Sequence, residues 1–141
     1  MTSRTFRGHA TYKLGMGYFT SAFLLSTGLV ALISPTTMAT GFGMPIQANT
    51  FAAGFVQCFG SRNLMLGLLN TVFVRNGNLQ AAGLLASLLA VDGFLDGIVT
   101  YKYAGALASV PHVVAAAIIP FVGRWMTVSY THLTLPTKRI V

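Results

Sequence analysis

The chain has two acidic residues, Asp92 and Asp96, four positions apart. On a helix that spacing puts both on one face. Arg62 stands in the middle of "CFGSRNLMLGLLN" (Cys58 to Asn70), a run that otherwise reads as lipid-soluble, and His112 follows Pro111 in another apolar run. Asp92 and His112 together offer a general acid or base beside a fixed cation, and a histidine near a carboxylate titrates in a useful range. Such a set would serve acid–base catalysis, a proton relay, or a polar pocket for the head of an amphipathic small molecule. There is no nucleophile triad, no HExxH, no metal-ligand spacing and no haem or quinone signature. No metal or other cofactor is therefore expected, and catalytic residues stay unassigned. "GFG" at Gly41 to Gly43 is a turn signal without the strand and helix of a phosphate loop. The single cysteine, Cys58, excludes an intrachain disulfide and a CxxC motif.

The elements that must position these residues are strongly apolar. Of the 141 residues, 54% are hydrophobic and 8% charged, where soluble domains carry about 25% charged residues. A soluble chain of this size would need more polar surface to cover one core. The composition instead predicts an all-α integral membrane protein in the lipid bilayer, a four-helix transmembrane bundle. Four apolar stretches, at about 14–33, 51–74, 79–100 and 104–125, each have roughly the 20 residues that cross a hydrocarbon layer of about 30 Å. Together they make a membrane domain over 14–125, between a cytoplasmic basic arm (1–13) and a tail (126–141). The breakers between them are "SPTTMATGFGMPIQANT", "RNGN" and "YKYAG". The last two are short, which predicts antiparallel neighbours for helices two to four. The first, with its Gly and Pro, predicts an ordered re-entrant or interfacial loop.

Counting about 1.5 Å per residue, Arg62 lies about 16 Å, Asp92 about 12 Å and Asp96 about 6 Å below the outer ends of their helices, and His112 about 12 Å down from Ala104. Arg62, Asp92 and His112 thus come to a similar depth, and Asp92 is the expected partner of Arg62, with Asp96 second. Gly93 and Gly97 around Asp96, and Gly83 with Ser87, have the small-xxx-small spacing that lets helices approach. Gly60 and Gly67 flank Arg62. Pro111 frees a backbone carbonyl near this cluster. Tyr101, Tyr103 and Trp125 fall at helix ends, where aromatic belts sit. Plainer readings stand beside these. The Arg–Asp pair would hold two helices together without chemistry, Asp96 would reach water at the outer interface, and His112 would be a satisfied core histidine. The scattered methionines read as packing.

The net charge of +7 does not point to nucleic acid, because the basic residues are singlets at the ends of apolar runs with no basic face. Their placement orients the chain. With both termini cytoplasmic, Arg4, Arg7, Lys13, Arg75 and Arg124 lie inside and Lys102 alone outside, the bias expected of an N-in, C-in protein. Cleavage of the first stretch as a signal peptide is the rival reading, but its apolar region of about 20 residues exceeds the usual 7–15. "VSYTHLTLPTKRIV" (Val128 to Val141) breaks the composition and resembles translated sequencing-library sequence. On that reading Tyr130, His132, Lys138 and Arg139 carry no functional meaning.

"GLVALISPTTMATGFGMP", then "FGSRNLMLGLL", then an Asp and a His in the following helices, resemble a small four-helix membrane family of unknown function, the DUF4267 type, itself distantly similar to the DoxX-like group. The family pattern puts Gly60, Arg62, Asn63 and Gly67 in one element. Asn63 stands where the family often has Asp, which removes an acid that could pair with Arg62 in cis. The resemblance covers about 14–125 and implies a fold, with no established activity. The resulting expectation is a small membrane protein with an intramembrane pocket of Arg62, Asn63, Asp92, Asp96 and His112, in an accessory or ligand-binding role. The alternatives are a membrane enzyme using Asp92 and His112 on a lipophilic small molecule, and a proton-coupled transporter that would need to oligomerise. Candidate partners besides lipid are a lipophilic small molecule, a second copy and another membrane protein.

Overall fold

The computed structural model describes residues 3–128, and their regular structure is entirely helical. Five helices follow one another: α1 (Ser3–Ile33), α2 (Pro35–Gly41), α3 (Phe51–Arg75), α4 (Leu79–Ala104) and α5 (Ala106–Thr127). The expected basic arm is thus the first turns of α1, and the expected first loop begins with a short helix. The tail residues discounted above (Tyr130, His132, Lys138, Arg139) lie outside the described residues.

Local chemistry sets these boundaries. Pro35 has no N–H to give and disfavours helical backbone in the residue before it. Ser34 accordingly leaves the helix with ψ 74, and Pro35 opens α2. Thr50 caps α3 by accepting the Ala53 N–H, and Asn78 caps α4 by accepting the Ala81 N–H. Between α4 and α5 the chain reverses at one residue, Gly105, whose φ of 86 is a conformation that side chains rarely adopt.

The long helices associate in two pairs, α1 with α3 and α4 with α5, and contacts between the pairs are much sparser. Each seam repeats every seven residues. On α3 the buried positions include Ala53, Gly60, Gly67 and Val74 on one row and Asn63 and Asn70 on the next. On α4, Gly83, Ala90 and Gly97 repeat in the same way. A seven-residue period keeps one face against a partner along a helix, and small residues on it let backbones touch. A Cβ on Gly60 would lie 2.7 Å from the Ala31 Cβ and 2.8 Å from the Gly28 carbonyl oxygen. A Cβ on Gly83 would lie 2.7 Å from the Gly123 carbonyl oxygen. Both pairs therefore close through a glycine–glycine crossing.

This packing inverts the usual distribution of side chains. The largest fully enclosed ones are Val74, Asn70 and Thr100, while Phe19, Ile33, Phe55, Leu107 and Phe121 are exposed. Three helical segments, Thr11–Ile33, Leu79–Ala104 and Ala106–Thr127, are long and apolar enough to cross a membrane. α3 matches them in length but not in apolarity, because Gln57, Ser61, Arg62, Asn63 and Asn70 dilute it. Where four crossing helices were expected, length and composition single out three among the described residues.

The two pairs meet at the end that carries the α3–α4 turn. There Val74, Ala82 and Met126 form a core, with Met16 and Trp125 against it. Lys13 donates to the Val128 carbonyl and lies 5.7 Å from the centre of the Trp125 ring. Toward the other end lies a cleft.

Candidate functional site

The cleft encloses about 740 Å³ between the first half of α3 and the last half of α4. Its α3 wall is Ala52, Phe55, Val56 and Phe59, and its α4 wall is Asp96, Val99 and Tyr103. On α3 the four fall on one helical stripe, as do Asp96, Val99 and Tyr103 on α4. α2 and the segment after it supply the roof, including Ala39, Phe42 and Met44. Phe42 seats that roof. Its ring meets Phe59 edge-on at 5.8 Å and lies 4.3 Å from the ring of His112. Gly43 follows with φ 83, and a Cβ there would come within 2.8 Å of the Ala108 Cβ. A residue with a side chain at 43 would lift the roof off α5. Phe55, Val99 and Tyr103 are exposed, so the cleft opens on the flank of the molecule.

Asp96 is the one charged residue in this lining. Asp92, one turn earlier on α4, and His112 on α5 are the titratable groups near enough to interact with it. Gly97, beside it, lies where a Cβ would be 3.7 Å from the His112 Cβ, and Gly93 faces the His112 carbonyl at the same distance. These two glycines seat α5 against α4 and so bring His112 behind the carboxylate. The arrangement is a large apolar slot with one acid on its wall. It can enclose a lipophilic body and offer Asp96 to a positive or hydrogen-bond-donating head. Among the described residues, no group of three or more His, Cys, Asp or Glu could hold a metal ion.

The other expected site residues go elsewhere. α4 continues to Ala104 instead of ending near Thr100. Counting from that end at about 1.5 Å per residue, Asp96 lies about 12 Å and Asp92 about 18 Å down, with His112 about 9 Å into α5. Asp96, not Asp92, is therefore the acid nearest the level of His112. Arg62 and Asp92 are both exposed. No ion pair or hydrogen bond joins Arg62 to Asp92 or to any other described residue. The cause is the choice of neighbour: α3 packs on α1 more than on α4. Its Gly60 and Gly67 face α1, and Arg62, two residues past Gly60, is carried about 200° round the helix to the far side. Asn63 donates to the Thr27 hydroxyl at 3.0 Å across the α1–α3 seam. Sequence reasoning missed Asn70, whose Nδ2 donates to the Gly17 carbonyl and the Ser21 hydroxyl. Its spacing of seven from Asn63, in step with Gly60 and Gly67, was the available signal.

No curated protein and no solved structure matches the chain. Residues 21–126, about three quarters of its length, match the family described as Domain of unknown function (DUF4267). That span runs from the middle of α1 almost to the end of α5 and includes the whole lining of the cleft, so the chain belongs to the DUF4267 family.

Proposed function

We propose that this is a multi-pass membrane protein that holds a lipophilic small molecule in the cleft, with Asp96 meeting the molecule's polar head. The membrane part rests on the inverted packing: large apolar side chains outside and small or polar ones inside suit lipid as the solvent. α3 joins the bundle as a fourth crossing. Asn63 and Asn70 are turned inward to α1, Gln57 donates to the Leu32 carbonyl, and Ser61 donates to the Cys58 carbonyl. Arg62 is the one polar group of α3's middle that needs a further answer. The binding part rests on a single observation, an apolar cavity of about 740 Å³ with one carboxylate in its wall. Ligand pockets of about 300–1,000 Å³ have this make-up. Its role is that of an accessory or carrier component.

The test uses the protein in lipid nanodiscs with two fluorescent probes, a dansylated long-chain amine and an alcohol of equal length. The amine should bind saturably. Ala52→Trp, which fills the cleft, should weaken both probes at least about tenfold, or about 1.4 kcal/mol. Asp96→Asn should weaken the amine by a similar factor and leave the alcohol nearly unchanged. Unaltered binding to Ala52→Trp would reject the cleft as the site.

A further inference from the structure

We propose that two copies of the chain pair side by side in the membrane, Arg62 of each forming an ion pair with Asp92 of the other. The inference rests on the membrane reading above and is independent of the cleft's ligand. α3 ends at Arg75 and α4 starts at Leu79, joined by a short turn. Arg62 is thirteen residues before the end of α3, and Asp92 thirteen residues after the start of α4. Both therefore stand about 20 Å from the same turn. Opposite charges share one level, both are exposed, and neither has an ion-pair or hydrogen-bond partner among the described residues.

Charges at that depth usually face a partner rather than lipid. A second copy supplies one with the right sign at the right height. A two-fold axis along the membrane normal preserves depth, so one contact of Arg62 with the partner's Asp92 implies its reciprocal. The face of α3 beside Arg62 allows close approach. Gly54, Cys58 and Ser61 are small and exposed, and nothing lies within 4 Å of where a Gly54 Cβ would be. By contrast, Gly28, Gly60, Gly83 and Gly123 are already filled by neighbours within the chain. Self-complementary charge, matched level and an unused small-residue face favour a second copy over an unrelated partner.

The test is energy transfer between donor-labelled and acceptor-labelled full-length protein in liposomes over a dilution series. Wild type should associate. Arg62→Asp alone and Asp92→Arg alone should each lose at least about thirtyfold in association, since breaking one partner of an interfacial charge pair costs that much or more. Mixed one to one they should recover it, because each then supplies the charge that the other lacks. Arg62→Gln and Asp92→Asn, gentler changes, should each weaken association, and circular dichroism on every variant checks that the helices persist. A wild type that inserts but stays monomeric at every density overturns the inference and leaves the membrane reading standing. So does a double variant, Arg62→Asp with Asp92→Arg, that restores association when the mixture of singles does not, since the pair would then lie within one chain. A chain that alkaline carbonate strips from membranes fails the membrane reading itself.

Discussion

Asn70 crosses from α3 to α1 with one amide nitrogen, donating to the Gly17 carbonyl and the Ser21 hydroxyl at 2.9 Å each, and it is fully enclosed. Interhelical hydrogen bonds in membranes contribute about 0.6 kcal/mol on average and up to about 1.7. Asn70→Ala removes two of them and the packing of the amide, so a loss of about 1–2 kcal/mol is expected. A melt in detergent followed by helical signal measures it, and an unchanged midpoint would show that the seam closes without this residue. Arg62 and Asn63 show how far residue-level reading reaches. They are neighbours in sequence, yet the helical turn of about 100° per residue sends Asn63 into the α1 seam and Arg62 outside. The presence of a costly charge was legible from its apolar surroundings. Its direction was not, because that depends on which helix α3 chooses to pack against.

At the scale of elements, the glycine crossings carry the argument. Gly60 touches α1, whereas Gly15 on α1 has nothing within 4 Å of where its Cβ would be. Gly60→Ala forces α1 and α3 apart and should cost about 1–3 kcal/mol, the range for overpacked cores. Gly15→Ala should instead stabilise by about 0.5–1 kcal/mol, since glycine in an exposed helix interior is disfavoured by that amount. The two substitutions are chemically identical, so thermal melts that moved both midpoints the same way would refute the crossing. The long helices themselves were readable from runs of apolar residues between Pro, Gly and Asn. Their ends were less so. α4 runs through Tyr101 and Lys102 to Ala104 because aromatic and basic residues continue a helix as readily as they end one. Those four extra residues moved Asp96, rather than Asp92, to near the level of His112. The pairing of α3 with α1 was also hidden, since a short turn makes α4 the default neighbour in sequence.

On the scale of the molecule, the ends are chemically distinct. Lys13, Arg75 and Arg124 gather where the pairs converge, with Lys13 held over Trp125. Among the described residues, Lys102 is the one Lys or Arg at the helix ends on the cleft side, lying 5.0 Å from the centre of the Tyr103 ring. Basic residues on short connectors stay on the cytoplasmic side. The convergent end should thus face the cytoplasm and the cleft the outer leaflet. That orientation would decide from which leaflet the proposed lipophilic ligand enters, because the opening past Phe55 and Tyr103 lies on the flank. Two exposed loop residues, Ala48 before α3 and Asn76 after it, report it. In a Cys58→Ser background, Ala48→Cys should react with a membrane-impermeant maleimide on intact cells. Asn76→Cys should react only after permeabilisation. The reverse pattern would put the cleft in the inner leaflet, and the basic residues would then be serving the fold at the convergent end instead of setting its orientation.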